Sequence, residues 1–254
     1  MVSGKNIYFV SDIHLGNRFM PNPLEAEKKM VQWLDDIKKD ASAVYFLGDI
    51  FDYWFEYKYV APRGHVRFLG KLAELSDSGI EIHLLIGNHD IWMFDYLPAE
   101  IGAIIHHKPF TVELLGKNFF LGHGDEVGYR PFMYRFIQSI FRNRLCQVLY
   151  ATIHPRWSFG FARGWSLSSR KSGMNNEKIK LAQVRNARSL EGFARNILQS
   201  NPDIHYFMFG HLHLLLDRII TPNTRLIITG DWMQLFSYAV WDGNSMTLKQ
   251  LLSS

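Results

Sequence analysis

Short apolar runs along this chain end abruptly in polar clusters, most of them led by glycine. Residues 7–10 stop at Ser11-Asp12-Ile13-His14, and residues 43–47 stop at Gly48-Asp49, with Asp52 three positions further on. Residues 80–86 stop at Gly87-Asn88-His89-Asp90, and residues 118–121 at Gly122-His123-Gly124-Asp125. Residues 205–209 stop at Gly210-His211-Leu212-His213. Runs of this length, rich in strand formers and bounded by turn residues, predict buried strands. Between the first three, apolar positions recur at helical spacing. Met30, Val31, Leu34 and Ile37 predict a helix over 25–37; Val66, Leu69, Leu72 and Ala73 predict one over 65–75, which Gly79 ends. Strand and helix in alternation imply parallel strands with right-handed crossovers, and ligands off their carboxyl ends.

The pattern then changes. Residues 111–114 and 118–121 predict a hairpin about Gly116. Runs at 218–221, 225–229, 236–241 and 245–251 predict a closing meander, with turns at Pro222-Asn223 and Asp242-Gly243-Asn244. From 132 onward the spacing is helical: Phe132, Phe136, Ile137, Ile140 and Phe141, then Leu145, Val148 and Leu149, then residues 181–198. No repeat and no Pro- or Gly-rich linker interrupts the chain. We expect one domain over 1–254, with residues 126–200 as a basic, aromatic helical insertion beside the site.

Charge sharpens that division. The chain has 254 residues, 47% hydrophobic and 20% charged, enough for a well-filled core. Net charge is +4, yet residues 126–200 carry 13 Lys and Arg against 3 Asp and Glu. Such a segment points to an anionic partner: nucleic acid, a phosphorylated substrate or acidic lipid headgroups. Its aromatics beside arginines suit a surface that holds both an acyl chain and a phosphate. Cys146 is the only cysteine, which excludes an internal disulfide and a multi-cysteine zinc site and fits a reducing cytosol. We expect no signal peptide and no membrane span.

The clusters supply Asp12, His14, Asp49, Asn88, His123, His211 and His213 as donors. Carboxylate, imidazole and amide without thiolate suit borderline or hard divalent ions. A central carboxylate such as Asp49 can bridge two cations and offset their repulsion. Two ions so held clamp a phosphoryl group. In Asp-x-His and His-x-His the two polar side chains of an extended segment share one face. Asp90 and Asp125 are read as supporting or backbone-capping groups, and Gly230-Asp231 as a structural turn. Each cluster alone is an ordinary pair or turn; the set, in this order and at strand ends, is specific.

In that order the chain resembles the calcineurin-like metallophosphoesterase superfamily, whose motifs run D-x-H, G-D-x-x-D, G-N-H-D/E, G-H and G-H-x-H. The resemblance implies an α/β fold, a four-layer αββα sandwich with a helical lid. It implies that Asp12, His14, Asp49 and His213 hold one ion, and that Asp49, Asn88, His123 and His211 hold the other. His89 then resembles the family's catalytic imidazole, oriented by the Asp52 carboxylate, and a metal-bridging hydroxide is the nucleophile. Within the superfamily, Ser11–Gly16 and Leu47–Phe55 resemble the UDP-2,3-diacylglucosamine pyrophosphohydrolases of lipid A biosynthesis. That resemblance implies two Mn2+ ions, with Fe2+, Zn2+ or Mg2+ as alternatives. It implies a UDP-linked acylated glucosamine substrate, an anionic membrane surface, and a place on the cytoplasmic face of the bacterial inner membrane. Neither nucleic acid nor an obligate protein partner is expected. Asn88, His89 and His211 are candidate substrate contacts, as are Ser169, Arg170 and Lys171 with Ser168 beside them. The chain departs from the best-known branch, which has G-N-R-D at 87–90 and L-C-T-D-D near 126–130. Two alternatives stay open: another nucleotide or soluble phosphodiester as substrate, or a binding scaffold without catalysis.

Overall fold

Strands buried on both faces organise the molecule. In the computed structural model, which describes residues 6–17, 20–128, 130–158, 160 and 176–251, β1 (Asn6–Val10) and β2 (Ala41–Phe46) are nearly continuous apolar runs. Their side chains alternate between two cores, as the pleat requires. Phe9, Tyr45 and Leu47 meet Phe119, Leu121, Met208 and Ile227. Tyr8, Val10, Val44 and Phe46 face the other way, into Met30, Trp33, Leu34, Phe68 and Leu72.

The first sheet has six strands. β1, β2, β3 (Glu81–Leu85) and β4 (Ile104–His106) are parallel, and β10 (Ser237–Trp241) and β11 (Met246–Gln250) complete it, antiparallel, beyond β1. Helices α1 (Pro23–Ile37), α2 (Val66–Asp77) and α3 (Tyr96–Ile101) cover its outer face. Asn22 caps α1 by accepting the Glu25 N–H, and Pro23 occupies the first turn, where a missing N–H costs nothing.

The second sheet runs β5 (Phe110–Leu114), β6 (Lys117–Leu121), β7 (Ile204–Phe209), β9 (Thr224–Thr229), β8 (Leu215–Thr221). The hairpin about Gly116 is present, with Leu115 and Gly116 both at positive φ, the two-residue turn that matches strand twist. β6, β7 and β9 are parallel. Helices α4 (Phe132–Arg142), α5 (Arg144–Ala151) and α6 (Asn176–Ser200) follow β6. Ala187, Leu190 and Ala194 of α6 pack on Phe207, Phe209, Leu226 and Ile228, which makes the fourth layer.

The closing strands do not form one meander. They are two hairpins in different sheets: β8 and β9 in the second, β10 and β11 in the first. The chain crosses the sandwich at Gly230-Asp231. Turn signals locate a reversal but not the sheet it serves. α3 and β4 were not anticipated, being too short to show a period. Within 126–200 the structure separates α6, an integral layer, from α4 and α5, which present Phe132, Phe136, Leu145 and Leu149 to the outside.

Candidate metal centre

Both sheets deliver their clusters to one place. Asp12 and His14 follow β1, Asp49 follows β2 and Asn88 follows β3, all on the first sheet. His123 follows β6, and His211 and His213 follow β7, on the second. Parallel strands end on the same side, so their carboxyl ends converge. Three groups of donors result, each with its ligand atoms within 4.8 Å of one another: Asp12, His14 and His213; His14, Asp49 and His89; Asp49, His123 and His211.

Asp49 is the centre of the arrangement. Its Oδ2 lies 3.6 Å from His14 Nε2 and 3.4 Å from His123 Nε2, while Oδ1 accepts the His89 main-chain N–H at 2.9 Å. One oxygen therefore faces an imidazole of each group. Asp12 Oδ1 lies 3.9 Å from His14 Nε2 and 3.6 Å from His213 Nε2; its Oδ2 accepts Ser11 Oγ–H at 2.6 Å and the His211 N–H at 2.8 Å. Asn88 Oδ1 is 3.3 Å from His123 Nε2. The structure thus brings all seven expected donors together.

A metal fits this cluster. Asp12 Oδ1 and His14 Nε2 are buried without a hydrogen-bond partner, a costly state unless something else engages them. The carboxylate–imidazole separations of 3.4–3.9 Å are too long for hydrogen bonds. They suit donors arranged around a cation at bond lengths of about 2.0–2.2 Å. Burial pulls the His14 and His211 imidazoles below their ordinary value. Burial acts against ionisation of Asp49 too, but His123, His89 and His14 hold its carboxyl well below the usual range. A cation would take over that neutralising role.

The backbone is bent to make these contacts. Asp12, His14, Asp49, His211 and His213 all lie in the left-handed region, at φ 52°, 49°, 52°, 67° and 48°. Close approach is enforced as well. A Cβ on Gly87 would run into the Asp49 carboxylate, and one on Gly210 would sit 2.6 Å from Asp12 Oδ2. Asp90, wholly buried, clamps the loops: it accepts N–H bonds from Ile50, Phe51 and Gly87. Burial and the nearby Asp49 push its carboxyl up to about 7.

His89 Nδ1 lies 3.0 Å from the main-chain carbonyl of Asp52. The Asp52 carboxylate is 3.6 Å from His14 Nδ1, so it backs an expected ligand. The His89 ring stands edge-on to His14, with centroids 4.7 Å apart. Asp231, read from the sequence as part of a structural turn, does cap one, yet its Oδ2 also lies 3.4 Å from His213 Nδ1. Its signal was available: Gly230-Asp231 ends β9 as Gly48-Asp49 ends β2. Ser168, Ser169, Arg170 and Lys171 lie outside the described residues, as do Phe159, Phe161 and Trp165.

This fold and site define the class. The calcineurin-like phosphoesterase profile matches residues 5–215, and the chain belongs to that family of metal-dependent hydrolases. Among curated relatives, UDP-2,3-diacylglucosamine hydrolase of Porphyromonas gingivalis is 48% identical over 258 residues, covering 96% of this chain and 97% of its own. The protein of that name from Vibrio vulnificus is 24% identical, covering 95% and 96%. Among solved structures, the E. coli phosphoesterase Yfce aligns with 95% of this chain and 91% of its own, at 13% identity and a TM-score of 0.43.

Proposed function

We propose that the protein hydrolyses the pyrophosphate bond of UDP-2,3-diacylglucosamine, giving UMP and 2,3-diacylglucosamine 1-phosphate, a step of lipid A biosynthesis. The observation that carries this reading is the 48% identity to the P. gingivalis hydrolase, sustained over nearly the whole of both chains. The donor set supports the chemistry. Asp12, His14, Asp49 and His213 would hold one divalent cation, and Asp49, Asn88, His123 and His211 the other. When bound, such a pair neutralises phosphoryl oxygens and lowers the pKa of water. Manganese suits this mixture of carboxylate, imidazole and amide donors.

The remaining roles fall to side chains around that pair. His89, held by the Asp52 carbonyl at Nδ1, turns its other ring nitrogen free for the phosphoryl oxygens or the leaving group. Asp52 holds His14. The outward apolar faces of α4 and α5 cap the acylated half of the substrate and rest on an anionic membrane surface. Phe132 is 79% exposed and Trp157 72%, with Arg135, Arg144 and Arg156 nearby in sequence. Among the described residues no helix is long and apolar enough to cross a membrane. The attachment in this reading is peripheral, at the cytoplasmic face.

The test is direct. Purified protein with Mn2+ and UDP-2,3-diacylglucosamine in detergent should release UMP and the acylated sugar 1-phosphate, identified by mass. Release of UDP, or turnover confined to water-soluble phosphodiesters, would reject the substrate while leaving the hydrolase class intact.

A further inference from the structure

The described histidines of the centre differ in what stands behind them. His123 turns Nδ1 to the carbonyl of Leu47 at 2.8 Å. His213 turns Nδ1 towards a carboxylate, Asp231 Oδ2, at 3.4 Å. That Nδ1 is buried and has no hydrogen-bond partner as the ring now stands. The other nitrogen, Nε2, faces Asp12 Oδ1 at 3.6 Å. Asp231 itself is fixed. Its Oδ1 accepts main-chain N–H bonds from Met233 at 2.9 Å, Gln234 at 2.7 Å and Leu235 at 3.0 Å. One carboxylate oxygen is therefore committed to a turn, and the other is aimed at an imidazole.

We propose that Asp231 is a positioning residue for the metal centre: it accepts the Nδ1–H of His213, fixing the tautomer that leaves Nε2 bare for the cation shared with Asp12 and His14. An imidazole can present only one bare nitrogen when neutral, and a carboxylate behind it selects which. It also makes the imidazole a stronger donor and stops the ring from turning. The residue lies at the exit of β9, in neither the D-x-H nor the G-H-x-H cluster. The centre thus recruits a sixth strand end. This inference rests on the metal-centre reading above.

Asp231→Asn separates the role from mere folding. Asparagine keeps the oxygen that caps residues 233–235, but offers an NH2 where His213 needs an acceptor. The variant should fold with an unchanged circular dichroism spectrum. In calorimetric Mn2+ titration of metal-stripped protein, it should bind one of two ions about 10–100-fold more weakly, the range usual for such supporting groups. The second ion should be little affected. Nitrogen-15 shifts of His213 in metal-free protein should move from the Nδ1–H form towards a mixture, and saturating Mn2+ should restore most of kcat. Equal affinity for both ions in the two proteins, with an unchanged His213 tautomer, would overturn the proposal and leave the metal centre standing. Failure of the unaltered protein to bind two ions would instead remove the reading on which it rests.

Discussion

Left-handed backbone at a non-glycine residue is a cost of roughly 1 kcal/mol or more, least for aspartate. Five of the eight described non-glycine residues at positive φ are expected metal ligands, and in each the bend turns the side chain from the strand direction towards the centre. His89 differs: its main-chain N–H secures Asp49, while its ring is left to act. The two functions can be parted. His89→Ala keeps the main-chain bond and should retain both metals by elemental analysis. Turnover should fall roughly 10²–10⁴-fold, the usual worth of general acid–base help. An unchanged rate would assign the ring no chemical role. At this scale the sequence was legible in what it spelled and silent in what it aimed. Asp12-x-His14 and His211-x-His213 announced their side chains. Nothing in the spelling told whether the carboxylate or the carbonyl of Asp52 would meet His89, because that depends on a torsion set by the loop.

Strands and helices were legible where burial was two-sided and long. β1, β2, β3 and β7 read directly as apolar runs, since both faces of each are covered. α3 and β4 did not, because six and three residues are too few for a period. At the β3–β4 edge, His83 Nδ1 and His106 Nε2 are 3.0 Å apart, and the His106 ring stacks on Phe110 at 4.0 Å. Burial, with His83 and His107 close by, lowers His106 to about 4. The unfolded chain, with an ordinary value near ~6.5, takes up this proton first as pH falls. Unfolded protein then binds more protons than folded, so stability declines from pH ~6.5 down to about 4. His106→Asn should remove part of that decline, on the order of 1 kcal/mol after allowance for solvent screening. Urea unfolding in EDTA at pH 7 and 4.5 would show it; equal losses in both proteins would refute it.

The whole molecule is uneven in charge and in polarity. Its basic quarter includes α4 and α5, whose apolar faces look outward, whereas α6 of the same segment is buried against β7 and β9. Charge counting alone could not draw that line, because a helix that caps a sheet and one that faces lipid are both amphipathic. An outward apolar face in a segment rich in arginine should bind phosphatidylglycerol vesicles in co-sedimentation. Binding should weaken as salt screens the charge, and Phe132→Asp with Phe136→Asp should reduce it several-fold. Retention by neutral vesicles alone, or no loss in the double variant, would count against a lipid-facing role.

Two of the three donor groups draw on both sheets. Asp12 and His14 meet His213 from across the seam, and Asp49 meets His123 and His211. An ion held by either of these two groups would oppose the parting of the sheets, by mass action. Metal would accordingly brace the seam of the sandwich as well as supply chemistry.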